Sequence, residues 1–227
     1  MPVCAFLADL ASVDIVGGDA VLAVPLGSTE QHGAHLPVST DTDIAVALCS
    51  ALAAERSDVV VAPAVPYGSS GEHAGFAGTL SIGQAATELL VVELARSATE
   101  TFRHVLFVSA HGGNSAPVHR AVARLRHEGR DVLLFQPAWD GDAHAGHIET
   151  SLQLLLRPDV VRTDRAVAGD TRPVAALMPL LRSGGVRAVT ATGVLGDPTT
   201  ASARAGREVF TALVADLMAQ VAAWRAS

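Results

Sequence analysis

Runs of apolar, β-branched residues recur along this chain, and each is followed by a longer window of helical periodicity. The runs at 21–26, 59–63, 105–109 and 132–136 are mostly apolar on both alternating faces, which marks strands covered on two sides. A further short strand is expected at 188–192. Helical windows fall at 43–56, 84–102, 116–128, 148–156, 173–182 and 204–225. In the last window Phe210, Leu213, Val214, Leu217, Val221 and Trp224 form one apolar stripe with polar residues opposite, so that helix lays one face on a core. Alternation of this kind specifies an α/β fold, a mainly parallel sheet with helices on both faces. At 227 residues, a single domain spanning 1–227 accommodates it, since single cores extend to roughly 250 residues.

Such a fold needs a large core, and 49% hydrophobic against 17% charged residues supplies one. The same balance excludes a disordered chain. A formal charge of −7 offers no basic face, so nucleic acid and anionic membranes are not expected as partners. All sixteen cationic side chains are Arg, which rules out Schiff-base and P-loop lysine chemistry. Cys4 and Cys49 lack metal-type spacing, and a chain of this size needs no disulfide scaffold. No positively charged leader with an apolar run opens the sequence, and no stretch reaches the roughly 20 apolar residues of a membrane span. A cytoplasmic location is therefore expected.

The irregular stretches at 27–42, 67–83, 110–115 and 137–147 each follow the C-terminal end of an expected strand. In open parallel sheets ligands bind at that edge. Six of the nine histidines lie there: His32, His35, His73, His111, His144 and His147. His104 belongs to the opposite edge, while His119 and His127 fall on a helix and are expected to be solvated.

The first loop concentrates Glu30, His32, His35, Asp41 and Asp43 among glycines and prolines. Taken alone, Asp41 reads as an N-cap and Glu30 as a surface carboxylate. The second cluster is Ala110-His111-Gly112-Gly113-Asn114, and the third runs from Asp142 to Ser151 with His144, His147 and Glu149. Three loops on one sheet edge thus offer mixed His and carboxylate donors without Cys, a set that suits zinc, manganese or iron(II). With an acidic residue able to bridge, this is what a two-metal hydrolytic site requires. The G-x-S-x-G elbow, the G-x-G-x-x-G fingerprint and the P-loop are all missing from the sequence, so serine-hydrolase, dinucleotide and kinase readings lose support.

The stretch from Gly27 to Pro37 with Asp41-Thr42-Asp43, then His111-Gly112-Gly113-Asn114, then His144 with Glu149-Thr150-Ser151, resembles the creatininase family of metal-dependent amidohydrolases in the family's order. The resemblance implies two divalent ions per subunit. Glu30, Asp41 and His111 would hold one, His32 and Asp41 the second, with Asp41 the bridge. Creatininase takes a further ligand two residues after the histidine matching His111. Gly113 stands there in this chain, and Glu149 is the expected replacement. His144 is the expected proton donor to the leaving amine, and His73 a substrate-pocket residue.

Tyr67 to His73, Phe76 to Thr79, His144 to His147 and Gly193 to Thr200 are most similar to a branch of the family that acts on a modified ribosomal precursor peptide. That likeness implies hydrolysis near the peptide's C-terminus, with release of a fragment built from a Val-Tyr pair. It also implies a homo-oligomer, with a hexamer among the expected states. A small-molecule amidohydrolase and a metal-binding regulatory protein are the alternatives.

Overall fold

The computed structural model describes residues 5–139 and 141–226; Cys4 lies outside them. Five strands form one wholly parallel sheet: β1 (Ala5–Phe6), β2 (Gly18–Leu26), β3 (Val59–Val61), β4 (Phe102–Ser109) and β5 (Asp131–Phe135), in the order β1-β3-β2-β4-β5. The central pair, β2 and β4, runs in register from Val21 opposite His104 to Leu26 opposite Ser109. Among the described residues six helices connect and cover the sheet: α1 (Thr40–Glu55), α2 (Gly83–Ala98), α3 (Ser115–His127), α4 (His147–Leu156), α5 (Val174–Gly184) and α6 (Ala203–Arg225).

The two-sided strands explain the layering. Val21, Ala23, Leu106 and Val108 pack with Ile44, Leu48, Leu152, Leu213 and Leu217 of α1, α4 and α6 on one face. Leu22, Val24, Val105 and Phe107 point the other way, onto Val91, Val92, Val118 and Leu125 of α2 and α3. Cys49 is buried in the first of these cores. On the second side Phe107 is fully buried. Phe107→Ala should cost about 3–5 kcal/mol, read as a lower denaturant midpoint with an unchanged slope.

The largest departures from the sequence expectation are at 188–192 and at the end of the second helix. The segment 188–192 is not a strand: Val186–Ala188 forms a 3-10 turn after α5, and Val186 packs with Leu177 and Leu195 rather than joining the sheet. The fifth strand is instead Ala5–Phe6 at the other edge, beside β3. The second helix ends at Ala98, not Phe102, because a turn through Thr99 to Thr101 closes it. Phe102 then begins β4, buried opposite Gly18.

Below the sheet, the indole N–H of Trp224 donates to Asp131 Oδ1 at 2.6 Å, and Arg225 meets His104. The start of β4 and the end of α6 are thus tied together at the edge opposite the loops. His119 and His127 are exposed. Among the described residues, no helix is long and apolar enough to cross a membrane.

Candidate metal centre

The loop after β2 folds back so that Glu30, His32 and Asp41 meet in the interior, only 1%, 0% and 2% exposed. Asp41 lies in the first turn of α1, yet its carboxylate does not cap that helix. It accepts from the Ser28 hydroxyl at 2.6 Å and lies 3.2 Å from both His32 Nε2 and His111 Nδ1. His32 donates from Nδ1 to the Glu30 carbonyl at 3.1 Å, which leaves Nε2 facing Asp41 and, at 3.8 Å, Glu149. A backbone carbonyl on one ring nitrogen is the usual support for a histidine whose other nitrogen binds a metal.

His111 follows β4, and Asn114 stitches its loop to two others. The Asn114 amide donates to the Gly27 carbonyl and accepts from the Ser69 N–H, both at 2.9 Å. Gly68 permits that contact, since a Cβ there would lie 2.4 Å from Asn114 Oδ1. His73, in the 3-10 turn Gly71–His73, brings Nε2 to 3.3 Å from Glu30 Oε1. In the fourth loop, Ala145 takes the left-handed φ of 53° and aims its N–H at Glu149 Oε2, 2.6 Å away. A non-glycine residue is rarely held there, and its hydrogen bond fixes the Glu149 carboxylate within reach of His32 and His144.

Four of the six loop histidines therefore converge. His35 is buried but bonds Thr150 Oγ1 at 2.9 Å, and His147 bonds Thr200 Oγ1 at 2.9 Å, both away from the cluster. The donor atoms form three overlapping groups, each within 4.8 Å: Glu30, Asp41 and His111; His32, His144 and Glu149; Glu30, His73 and His144. The third group gives His73 and His144 donor positions beyond the pocket and proton-transfer roles expected of them.

The electrostatics follow from three buried carboxylates at close quarters. Burial raises Glu30 to about 7, with the Asp41 charge adding to it, and burial also raises Glu149 to about 7. Burial opposes ionisation of Asp41 too, but His32 and His111 hold it well below the ordinary carboxylate range. Burial likewise disfavours charge on His32 and His111, yet Asp41 and Glu149 on the first, and Glu30 and Asp41 on the second, lift each to about 10. His73 falls to about 3 and His144 well below its usual value, through burial and then the neighbouring charge of His32. Protons on His32 and His111 thus provide the positive charge these carboxylates need. A divalent cation provides it better and releases those protons. Glu30 Oε2, buried without a hydrogen-bond partner among the described residues, fits such an ion.

The centre opens into a cavity of about 810 Å³. Val174, Met178 and Leu181 of α5, with Val186 and Leu195, make the apolar wall facing the donors. Sequence reasoning missed this wall, because α5 reads as an ordinary amphipathic helix. It also missed Gln31, whose amide nitrogen lies 2.9 Å from His73 Nδ1 and donates to the Gly193 carbonyl at 3.0 Å. The only available signal was the place of Gln31 between Glu30 and His32.

The creatinine amidohydrolase (creatininase) family model matches residues 9–221. The mycofactocin precursor peptide peptidase of Mycolicibacterium smegmatis is 50% identical over 216 residues, covering 90% of this chain and 85% of that protein. Among solved structures, a creatininase mutant described as Zn-Zn type superposes with a TM-score of 0.78 at 26% identity, covering 95% of this chain and 96% of its own. A manganese creatininase gives 0.76 at 25% identity, with the same coverage. With the family model matched along almost the full length and a relative at 50% identity, the chain belongs to the creatininase family.

Proposed function

We propose that this protein is a metal-dependent peptidase that hydrolyses a C-terminal peptide bond of the modified mycofactocin precursor peptide and releases the Val-Tyr-derived fragment during redox-cofactor biosynthesis. The observation that carries this reading is the set of interlocking His and carboxylate donors at the floor of the cavity. The 50% identity to a peptidase of that name supports the substrate. Glu30, Asp41 and His111 would hold one divalent ion, and His32, Asp41 and Glu149 the second, with Asp41 common to both. Zn, Fe(II) or Mn held by these residues would lower the pKa of a water and polarise the scissile carbonyl.

The chain's own residues do the rest. His144 donates from Nε2 to the Gln31 carbonyl at 2.9 Å, so Nδ1 is the nitrogen that takes a proton and passes it to the leaving amine. The apolar wall of α5 receives the substrate's apolar side chains and excludes water, while His73 lines the floor. We place the enzyme in the cytoplasm as a homo-oligomer. The volume of the cavity, about 810 Å³, favours a peptide over the small cyclic or formyl amides of a creatininase- or deformylase-type enzyme.

Metal-loaded protein incubated with the modified precursor peptide should yield the C-terminal fragment by mass spectrometry. Chelation should remove two ions per chain and abolish the product. Faster cleavage of cyclic or formyl amides would make it a small-molecule amidohydrolase. Metal loading without hydrolysis of any amide would make it a metal-binding regulatory protein.

A further inference from the structure

The Nε2 atom of His111 is crowded in an informative way. It donates to the Ser69 carbonyl at 2.9 Å, and Glu72 Oε1 lies 3.7 Å away. Glu30 Oε2 is 3.3 Å from the same nitrogen but makes no hydrogen bond with it. The other ring nitrogen, Nδ1, faces Asp41 Oδ2 at 3.2 Å. Gly113 makes the crowding possible. A Cβ there would lie 2.2 Å from Ser69 O, 2.3 Å from Glu72 Oε1 and 2.5 Å from His111 Nε2, so one methyl group would fill the point where the three converge. Glu72 is carried by the turn Gly71–His73, against which Gly185 packs so closely that a Cβ there would be 2.5 Å from the Glu72 carbonyl oxygen.

We propose that Glu72 is the positioning carboxylate of His111: with the Ser69 carbonyl it keeps the remaining proton on Nε2, so that Nδ1 is the nitrogen turned to the ion beside Asp41. His32 is arranged the same way with the roles of its nitrogens reversed, since the Glu30 carbonyl holds Nδ1–H. With Nδ1 turned to Asp41, the ring N–H that remains is the one facing Ser69 and Glu72. The side chain of Glu72 is 34% exposed, so it is dispensable for the core. No feature of the sequence pattern assigns it this task. The inference rests on the metal reading given above.

The test is Zn²⁺ binding to chelator-stripped protein, measured by competition with a chromophoric chelator, for the unsubstituted chain, Glu72→Gln and Glu72→Ala. Removing an outer partner of a ligating histidine typically costs 10–100-fold in metal affinity. Glu72→Ala should lose that much at one site, and Glu72→Gln less, with far-UV circular dichroism of the ion-free proteins unchanged. Nitrogen-15 spectra of zinc-loaded, histidine-labelled protein should show His111 protonated at Nε2, and the same spectra exclude direct ligation through Nε2. Undiminished affinity in Glu72→Ala, or His111 protonated at Nδ1, overturns the proposal while leaving the metal reading intact. An unsubstituted chain that binds no Zn²⁺ overturns both.

Discussion

Asp41→Ala yields a folded protein that has lost both ions and all detectable hydrolysis, whereas Glu30→Ala and His32→Ala each lose chiefly one ion. The expectation follows from position. Asp41 is the carboxylate within 3.2 Å of both His32 and His111, so its removal strips a negative charge from each half of the centre. The fold should survive, because the side chain caps no helix. Losing the Ser28 hydrogen bond and the favourable charge at a helix start costs about 1–2 kcal/mol together, and His32 and His111 then shed the protons that Asp41 held on them instead of staying buried and charged. Elemental analysis of the three variants, purified with equal metal supply, checks the ranking. Equal retention in all three would remove Asp41 from the bridging position.

The second large effect separates two neighbours in one loop. His144→Ala should keep both ions and lose turnover by roughly 10²–10⁴-fold, the usual yield of a positioned proton donor. Glu149→Gln should instead weaken the second ion, because a neutral amide is a poor ligand for a hard dication. The distances bear on both expectations. Glu149 Oε2 is 3.8 Å from His32 Nε2, while the His144 ring lies tilted with its centroid 4.3 Å from that of His32 and shares two of the three donor groups. Metal content decides between the roles: loss of an ion in His144→Ala with full occupancy in Glu149→Gln would exchange them. If both variants stay active and fully loaded, neither residue serves the centre.

Much of this architecture was legible because parallel strands advertise themselves. Val21 to Leu26 and Val105 to Ser109 are apolar on both faces, and only a sheet covered on two sides uses such runs. The loops after them then had to share an edge, which brought Glu30, Asp41, His111, His144 and Glu149 within reach of one another before any distance was known. What stayed hidden depended on tertiary packing. The segment 188–192 has strand propensity, but Val186 just before it packs against Leu177 and Leu195, away from the sheet. Glu72 looked like any loop carboxylate, because its relation to His111 runs through the missing side chain of Gly113, and a missing side chain leaves no periodicity. The α5 wall was equally silent, since its exposed apolar residues face a cavity rather than a core.

The central pairing of the sheet also dictates when the centre can exist. β2 and β4 lie side by side from Val21 opposite His104, although α1, β3 and α2 intervene between them along the chain. Closing so long a loop costs entropy before any contact repays it, and topologies dominated by such distant pairings fold slowly. Glu30 and His111 hang from the far ends of these two strands, so neither meets the other until the slow step is over. A cation held by the loop of Glu30, His32 and Asp41 alone would lack His111, which only the paired strands bring to it. The complete donor set should therefore exist only once the sheet is paired, so that full occupancy by a cation follows collapse.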